Sequence, residues 1–236
     1  MSFLNITSAM PISDSCCKPF TTMAYDGETF YFSGRCSCTV YRYSSDLDFL
    51  GCEEMQRPYS CLCYDSTDDC FWGSLEGIGN RIFKLNRCFC EIDNIRITVD
   101  NVRCAEIVGL SFNADENSIL VAYGHSVVSV PKSGTQTILQ TDCNRFNLAV
   151  LSVPPDLIVA YLRSARQFLS LYAEDGTLLD SEVIQREFLV NSMVFYEAGT
   201  PDIIYILATK KRLYSYLLKG ELDLSDFQTL QLETTE

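Results

Sequence analysis

The chain has 236 residues, of which 47% are apolar, and this is enough for a continuous core in a single all-β domain. Its formal net charge of -13 argues against general binding to nucleic acid, whose phosphates require clustered Lys and Arg. No apolar run approaches the roughly 20 residues of a membrane span, and the N-terminus lacks the basic and apolar regions of a signal peptide. We therefore expect a cytoplasmic protein that does not contact the membrane.

The first predicted element is a lone strand over residues 3–7, where apolar and polar side chains alternate. Five similar units follow it. The clearest is Tyr59 to Asn86, in which three short apolar strands are separated by two polar turns. We expect the strand at 3–7 to pair with the last unit and close the ring, because this leaves no free sheet edge.

The units are marked by an aromatic or apolar residue followed by an acid or a turn former. This pair recurs at intervals of 39, 48, 41 and 43 residues, at Tyr25-Asp26, Tyr64-Asp65, Phe112-Asn113, Val153-Pro154 and Tyr196-Glu197. A more polar fourth segment completes each unit, the last of them over 227–232. Four strands in about 40 to 45 residues is the period of a propeller blade. The sequence therefore predicts an all-β, five-bladed β-propeller occupying residues 1–236, with blades at about 20–54, 59–99, 107–141, 148–184 and 192–232.

Three segments carry a resemblance to known proteins: YDGETFYF, GLSFNADENSILVAYGHSVVSV and YDSTDDCFWGS…NRIFKLN. They resemble the strand-turn-strand units of bacterial β-propellers of the broad quinoprotein-like, NHL-like and WD-like group. The likeness extends over nearly the whole chain and implies the fold. The G-H…W-D marks of true WD repeats are absent, so the resemblance implies no particular activity.

The loops of a propeller can be sorted by face, because the turns between strands one and two lie at the opposite end of a blade from those between strands two and three. The one-to-two turns hold no Lys or Arg, and their acids are Asp26, Glu28, Asp65, Asp68, Asp69, Asp115, Glu116, Asp156, Glu197 and Asp202. The sequence therefore predicts one acidic face.

Twelve of the 18 bases fall in loops of the other face. The blade-to-blade loops contribute Lys18, Arg57, Arg103, Arg145 and Arg186, and the two-to-three turns contribute Arg35, Arg81, Arg163, Arg166, Lys210, Lys211 and Arg212.

Converging guanidinium groups are suited to binding a carboxylate or a phosphate. Our hypothesis is a binding or interaction module that holds a small anionic ligand or an acidic partner segment at this mouth. The predicted ligand-binding residues are Lys18, Arg35, Arg57, Arg81, Arg103, His125, Arg145, Arg163 and Arg186. The alternative is that the bases end strands and pair with acids such as Asp100, Asp142 and Glu187.

Catalysis is less favoured by the sequence. Glu76 is the only acid among the basic two-to-three turns, and glycoside hydrolysis needs a second carboxylate at a defined separation. The only histidine, His125, lies in a turn of the same face, where a hydrogen-bonded surface role is the simpler interpretation. No nucleophile elbow and no phosphate-binding loop is present. We predict no catalytic residue, cofactor or metal site, and a carbohydrate-active propeller, lectin-like or hydrolytic, is the alternative.

Twelve cysteines make the chain cysteine-rich, and six of them form the C-x-C pairs Cys36/Cys38, Cys61/Cys63 and Cys88/Cys90. Residues two apart on a strand share a face, so we interpret these pairs as small buried hydrophobes; metal binding and disulfides are the alternatives. Alternating aromatics are likewise assigned to packing between blades rather than to a sugar-stacking surface. They are Tyr41, Tyr43, Trp72, Tyr214 and Tyr216.

Overall fold

The computed structural model describes residues 3–12, 19–98, 106–141, 146–154, 156–173, 175–184, 186–196, 202–211 and 213–224. These residues form twenty β-strands in five four-stranded antiparallel sheets. Within this part of the chain no helix has the length and apolar character of a membrane span. The predicted five-bladed, all-β propeller is confirmed.

Four blades are each built from four consecutive strands. The first contains β2 (Phe20–Tyr25), β3 (Thr29–Gly34), β4 (Thr39–Ser44) and β5 (Phe49–Glu54). The second contains β6 (Tyr59–Asp65), β7 (Cys70–Leu75), β8 (Arg81–Leu85) and β9 (Glu91–Arg96). The third contains β10 (Ile107–Asn113), β11 (Ser118–Tyr123), β12 (Ser126–Pro131) and β13 (Thr137–Thr141). The fourth contains β14 (Phe146–Val153), β15 (Asp156–Arg163), β16 (Arg166–Tyr172) and β17 (Leu178–Val183).

The fifth blade joins the two ends of the chain. It contains β18 (Phe188–Tyr196), β19 (Asp202–Lys210), β20 (Tyr214–Leu222) and β1 (Leu4–Pro11). β1 pairs antiparallel with β20 and forms the outer strand of the blade, so the predicted closure by the N-terminal strand is confirmed. The strand is longer than predicted. The predicted fourth segment at 227–232 lies outside the described residues.

Burial follows the position of a strand within its blade. The second strands are covered on both faces by neighbouring blades, and every residue of β7 and β11 is buried. Most residues of the outer strands β5, β9 and β1 are exposed, and β17 contains no buried residue. The core is therefore a set of layers between blades rather than a single central mass.

The innermost strand of each blade, the first in its sequence, packs against its counterparts in the adjacent blades and forms the wall of the central channel. Each of these five strands carries a register shift near its start, as between Phe20 and Thr22 or between Ile107 and Gly109. Such bulges bend a strand and increase its twist. A Cβ at Gly109 would lie 3.0 Å from the Cα of Ala149, which is tighter than most Cβ contacts, so glycine favours the close approach of the inner strands of blades three and four.

Hydrogen bonds between blades complement the apolar layers. Thr22 Oγ1 accepts a bond from the backbone N–H of Leu62 at 2.8 Å, which links blades one and two. Ser111 Oγ accepts from the N–H of Ser152 at 2.9 Å, which links blades three and four. At the closing seam, Ser215 Oγ accepts from the N–H of Phe20 at 2.9 Å. These bonds satisfy buried polar groups of inner strands that no strand pairing reaches.

Candidate functional site

The channel ends, on the acidic face, at turns that share one geometry in the first three blades. The Oδ1 atom of the first turn residue accepts backbone N–H groups two and three positions ahead. The residues that do this are Asp26, Asp65 and Asn113. Aspartate and asparagine are favoured here because their short side chains replace a backbone acceptor in a tight turn. The main structural role of this repeated polar residue after the aromatic one is therefore to stabilise the turn by accepting its backbone N–H groups.

The second of these acids is also half of a buried ion pair. Asp65 is fully buried, and its Oδ2 lies 2.6 Å from Nζ of Lys132, which belongs to the three-to-four loop of blade three. The same oxygen accepts a hydrogen bond from Nε1 of Trp72 at 3.0 Å. Lys132 Nζ also lies 3.0 Å from Asp68 Oδ2 and 4.8 Å from the ring centre of Phe112.

Arg87 forms a similar contact one blade earlier. Its Nη1 lies 2.7 Å from Asp26 Oδ2 of blade one, and its Nη2 lies 2.6 Å from Asp69 Oδ1. The guanidinium carbon stands 4.7 Å from the ring centre of Tyr64. Burial acts to raise the pKa of Asp26, but hydrogen bonds from Arg87, from backbone N–H groups and from the Tyr31 hydroxyl outweigh it, so this pKa lies below its usual value.

The two contacts follow one rule, and we call the arrangement the blade clasp: Asp26, Tyr64 and Arg87 in the first case, Asp65, Phe112 and Lys132 in the second. A base in the three-to-four loop of one blade covers the aromatic residue of that blade and pairs with the turn acid of the preceding blade. At the next seam the turn acid is replaced by the neutral Asn113 and the aromatic residue by Val153.

The clasp bases were not assigned by the sequence analysis, which counted only the one-to-two turns of the acidic face. Lys84, Arg87 and Lys132 neutralise part of that face, and Lys84 Nζ lies 2.6 Å from Asp68 Oδ2. The spacing offered a signal, because a base follows the aromatic residue after 23 positions at Tyr64 and after 20 positions at Phe112.

A pocket of about 640 Å³ opens on the acidic face where the five inner strands end. Its floor is apolar and comes from one residue on each of four inner strands, namely Cys63, Leu110, Leu151 and Met193. The aromatic residues that mark the repeat in the sequence stand at its rim, in particular Tyr25, Tyr64, Phe112 and Tyr196. We call this the channel pocket.

On the opposite face, two of the predicted anion-binding arginines already have protein partners. Arg35 forms an ion pair with Glu76 and lies 3.7 Å from Glu106. Arg57 lies 3.5 Å from Glu91, and its guanidinium carbon is 5.6 Å from the ring centre of Phe83. For these two residues the pairing alternative describes the observed contacts.

Three other predicted residues differ from these. Arg81, Arg163 and Arg186 are exposed, and among the described residues none of them has an ion-pair partner. His125 is exposed in the β11–β12 turn, with its ring edge-on to Phe146 at 5.8 Å between ring centres. The remaining predicted residues, Lys18, Arg103 and Arg145, lie outside the described residues.

Comparison with known proteins supports the fold but does not assign the chain to a family. No protein-family model matches the chain, and no curated protein matches it in sequence. Solved structures do match. The chain has the fold of the β-propellers.

Three of these structures illustrate the range. Kuenenia stuttgartiensis hydrazine synthase is 12% identical with a TM-score of 0.53, and the match covers 85% of this chain and 58% of that one. Virginiamycin B lyase from Staphylococcus aureus is 13% identical with a TM-score of 0.52, over 86% and 66%. The tail fibre of Staphylococcus aureus phage P68 is 6% identical with a TM-score of 0.63, over 96% and 54%. The chain thus spans less than two thirds of each, and the structures it resembles include a synthase, a lyase and a phage tail fibre.

Glu76, the acid considered for catalysis, does not have the properties of a general acid in this structure. Hydrogen bonds from Arg35 and then from the thiol of Cys36 lower its pKa below the ordinary glutamate value. A general acid needs a raised pKa. Its contacts make it the ion-pair partner of Arg35.

One group has the composition of a metal site: Asp65, Asp68 and Cys70, whose ligand atoms lie within 4.8 Å of one another. The ammonium group of Lys132 already contacts both carboxylates, so a cation of the protein itself occupies this position. Burial, followed by the charge of Asp65, raises the pKa of the Cys70 thiol to about 11, and a protonated thiol is a poor ligand. The residues present do not favour a metal.

The cysteine interpretation is wrong for two of the three pairs. Cys61 and Cys63 are buried on β6, as the strand periodicity predicts, but the pairs Cys36/Cys38 and Cys88/Cys90 are exposed. Both exposed pairs lie in turns between strands, where the two-residue period of a strand does not apply. No disulfide joins any two of the eight cysteines in the described part of the chain.

The aromatic interpretation is correct for four residues and wrong for one. Tyr43 and Trp72 are buried, and Tyr41 and Tyr216 are partly buried. Tyr214 is 59% exposed because it is the first residue of β20 and lies beside the preceding turn.

Removing the first clasp base should give a pH-dependent loss of stability. Arg87 lowers the pKa of Asp26, and it also lowers that of Asp69 below the ordinary value of 3.8. The stabilisation of a carboxylate with a lowered pKa is complete above its ordinary value and is lost as the pH falls through the lowered one. The free energies of unfolding of wild type and Arg87→Met should therefore differ by their full amount near neutral pH and converge as the pH falls below the ordinary carboxylate value of 3.8.

Urea unfolding at a series of pH values measures this difference. The matched control is Arg96→Met, an exposed arginine on the outer strand β9, which should differ little from wild type at any pH. A difference for Arg87→Met that stays constant with pH would show that its contacts to Asp26 and Asp69 do not contribute through charge.

Proposed function

We propose that this protein is a non-catalytic binding module that holds a small anionic ligand or an acidic partner segment on its basic face. The observation that supports this most is that Arg81, Arg163 and Arg186 are exposed on that face without ion-pair partners among the described residues. An exposed guanidinium group offers a planar fork of donors that matches carboxylate or phosphate oxygens.

The topology explains how these residues come to one face. Arg81 is the first residue of β8, Arg163 ends β15, and Arg186 precedes β18. In antiparallel blades of this order, the start of a third strand, the end of a second strand and the entry to a first strand all lie at the same end. Arg35 and Arg57 lie at that end too. Because they already pair with acidic residues of the protein, we expect them to contribute less to ligand binding than the other three arginines.

The test is calorimetric titration with tripolyphosphate and, separately, with a short polyglutamate peptide at low and at physiological salt. We expect salt-sensitive binding, and we expect the triple variant Arg81→Gln/Arg163→Gln/Arg186→Gln to weaken it at least about tenfold. Comparison of the two probes tells a small anion from an acidic chain.

The control is Lys219→Gln, a base toward the other end of β20, which should bind as wild type does. The absence of salt-sensitive binding to either probe, or a triple variant that binds as tightly as wild type, would contradict the proposal.

Carbohydrate binding is the second candidate, and one observation favours it. The channel pocket combines aromatic rims with carboxylates, a combination that also suits sugar rings and hydroxyls. Saturable binding of a neutral oligosaccharide that is lost in Tyr196→Ala would support this candidate over the anion-binding one.

A further inference from the structure

The channel pocket differs from the basic face in charge. The charged residues among its described lining are three carboxylates, Asp26, Asp115 and Asp202, and that lining includes no Lys, Arg or His. Asp26 is paired with Arg87, but neither Asp115 nor Asp202 has an ion-pair partner among the described residues. A concave site with charge of one sign and low-dielectric walls concentrates ions of the opposite sign.

Aromatic residues stand beside these carboxylates. Tyr25 and Tyr196 line the part of the pocket between blades five and one, where their rings meet edge-on at 5.5 Å, and Phe195 lines it on the side of blade four. The faces of aromatic rings attract cations, and quaternary ammonium groups are typically recognised in this way. The chain already uses this attraction at the same rim, where Arg87 covers Tyr64 and Lys132 covers Phe112. No described cation covers Tyr25, Phe195 or Tyr196.

A buried hydroxyl in the wall gives an independent indication of a ligand. Ser152 lines the pocket and is 4% exposed, yet its Oγ has no hydrogen-bond partner among the described residues. Its backbone N–H is satisfied by Ser111 Oγ, so only the hydroxyl is left over. A buried polar group without a partner costs free energy, and a donor on a bound ligand would satisfy it.

We propose that the channel pocket binds an organic cation, an ammonium group carried by a small molecule or by the lysine side chain of a partner. Asp115 and Asp202 supply the compensating charge, Tyr25, Phe195 and Tyr196 cover the alkyl part, and Ser152 Oγ accepts an N–H. This site is independent of the one on the basic face, which lies at the other end of the channel. Its ligand has the opposite charge.

The experiment is titration of the full chain with n-butylammonium and tetramethylammonium, with n-butanol as the neutral analogue. Both cations should bind, and n-butanol should bind at least about tenfold more weakly. Asp115→Asn/Asp202→Asn should weaken both cations at least about tenfold, whereas Glu28→Gln, an exposed acid of the same face outside the pocket, should have no effect. Ser152→Ala should weaken n-butylammonium only, because tetramethylammonium has no N–H to donate.

A second arm separates the two sources of the ammonium group. The end-blocked peptide acetyl-Gly-Lys-Gly-amide, whose only charged group is the lysine ammonium, is compared with the same peptide acetylated on its lysine, which removes the charge. Binding of the free-lysine peptide more tightly than n-butylammonium assigns the site to a partner chain, and tighter binding of n-butylammonium assigns it to a small molecule. Equal affinity for n-butanol and n-butylammonium, no effect of Asp115→Asn/Asp202→Asn, or binding of neutral oligosaccharides in place of cations would overturn the proposal.

Discussion

Replacing Asp65 with alanine should lower the free energy of unfolding by about 3–5 kcal/mol, the cost of breaking a buried ion pair by removing one partner. The substitution leaves Lys132 with only Asp68 as an acidic neighbour, and Trp72 Nε1 loses its acceptor. The backbone N–H groups of Thr67 and Asp68 lose theirs as well. Urea unfolding followed by circular dichroism measures the change.

Asp69→Ala is the matched control, since Asp69 lies in the same turn but its side chain is 65% exposed. We expect a much smaller loss there, because surface ion pairs contribute little to stability. A double-mutant cycle of Asp65→Ala with Lys132→Met isolates the pair itself. If Asp65→Ala proves no more destabilising than Asp69→Ala, the second blade clasp is not a stabilising contact.

Phe3→Ala should cost about 3–5 kcal/mol, the range for truncating a buried aromatic side chain. Phe3 is fully buried next to β1 and belongs to the apolar layer between blades four and five. Its carbonyl oxygen also accepts a bond from the N–H of Asp223 at 3.0 Å. The substitution should therefore weaken the packing of the N-terminal segment in the fifth blade, which the two ends of the chain build together.

Ile6→Ala provides the comparison on the same strand, because Ile6 is 43% exposed and the strand pairing with β20 is kept. It should cost clearly less than Phe3→Ala in the same urea unfolding measurement. Equal effects would mean that the closing strand contributes through its backbone pairing alone, and that the side-chain layer beneath it is not important for stability.

The number of blades could be predicted from the sequence because an aromatic or apolar residue followed by an acid or a turn former recurs in a fixed place, at the end of each inner strand. In the first three blades the structure explains the recurrence by the turn geometry that Asp26, Asp65 and Asn113 impose. A local physical requirement of this kind remains visible even when the repeats have diverged. The closure by β1 was predictable for a related reason, since an unpaired edge strand is unfavourable in any propeller.

The blade clasp could not be predicted in the same way. It joins residues of two blades, such as Asp26 and Arg87, and no local spacing says which loops of neighbouring blades will touch. The channel pocket could not be predicted for another reason. In the sequence, aromatic residues such as Tyr25 and Tyr196 are equally compatible with packing in the core and with lining the rim of a pocket. Only the ring geometry brings Asp115 and Asp202 to the same opening.

The pairing of β1 with β20 also constrains how the chain reaches its folded state. Leu4 lies opposite Leu222, so one hydrogen-bonded ladder joins residues near opposite ends of the chain. Blades one to four use consecutive strands and can form as synthesis proceeds, but the fifth cannot be completed until β20 has emerged from the ribosome. Until then β1 has no partner strand. Closing so large a loop is slow, which makes the interval between synthesis and ring closure the period when the nascent chain is most exposed to aggregation.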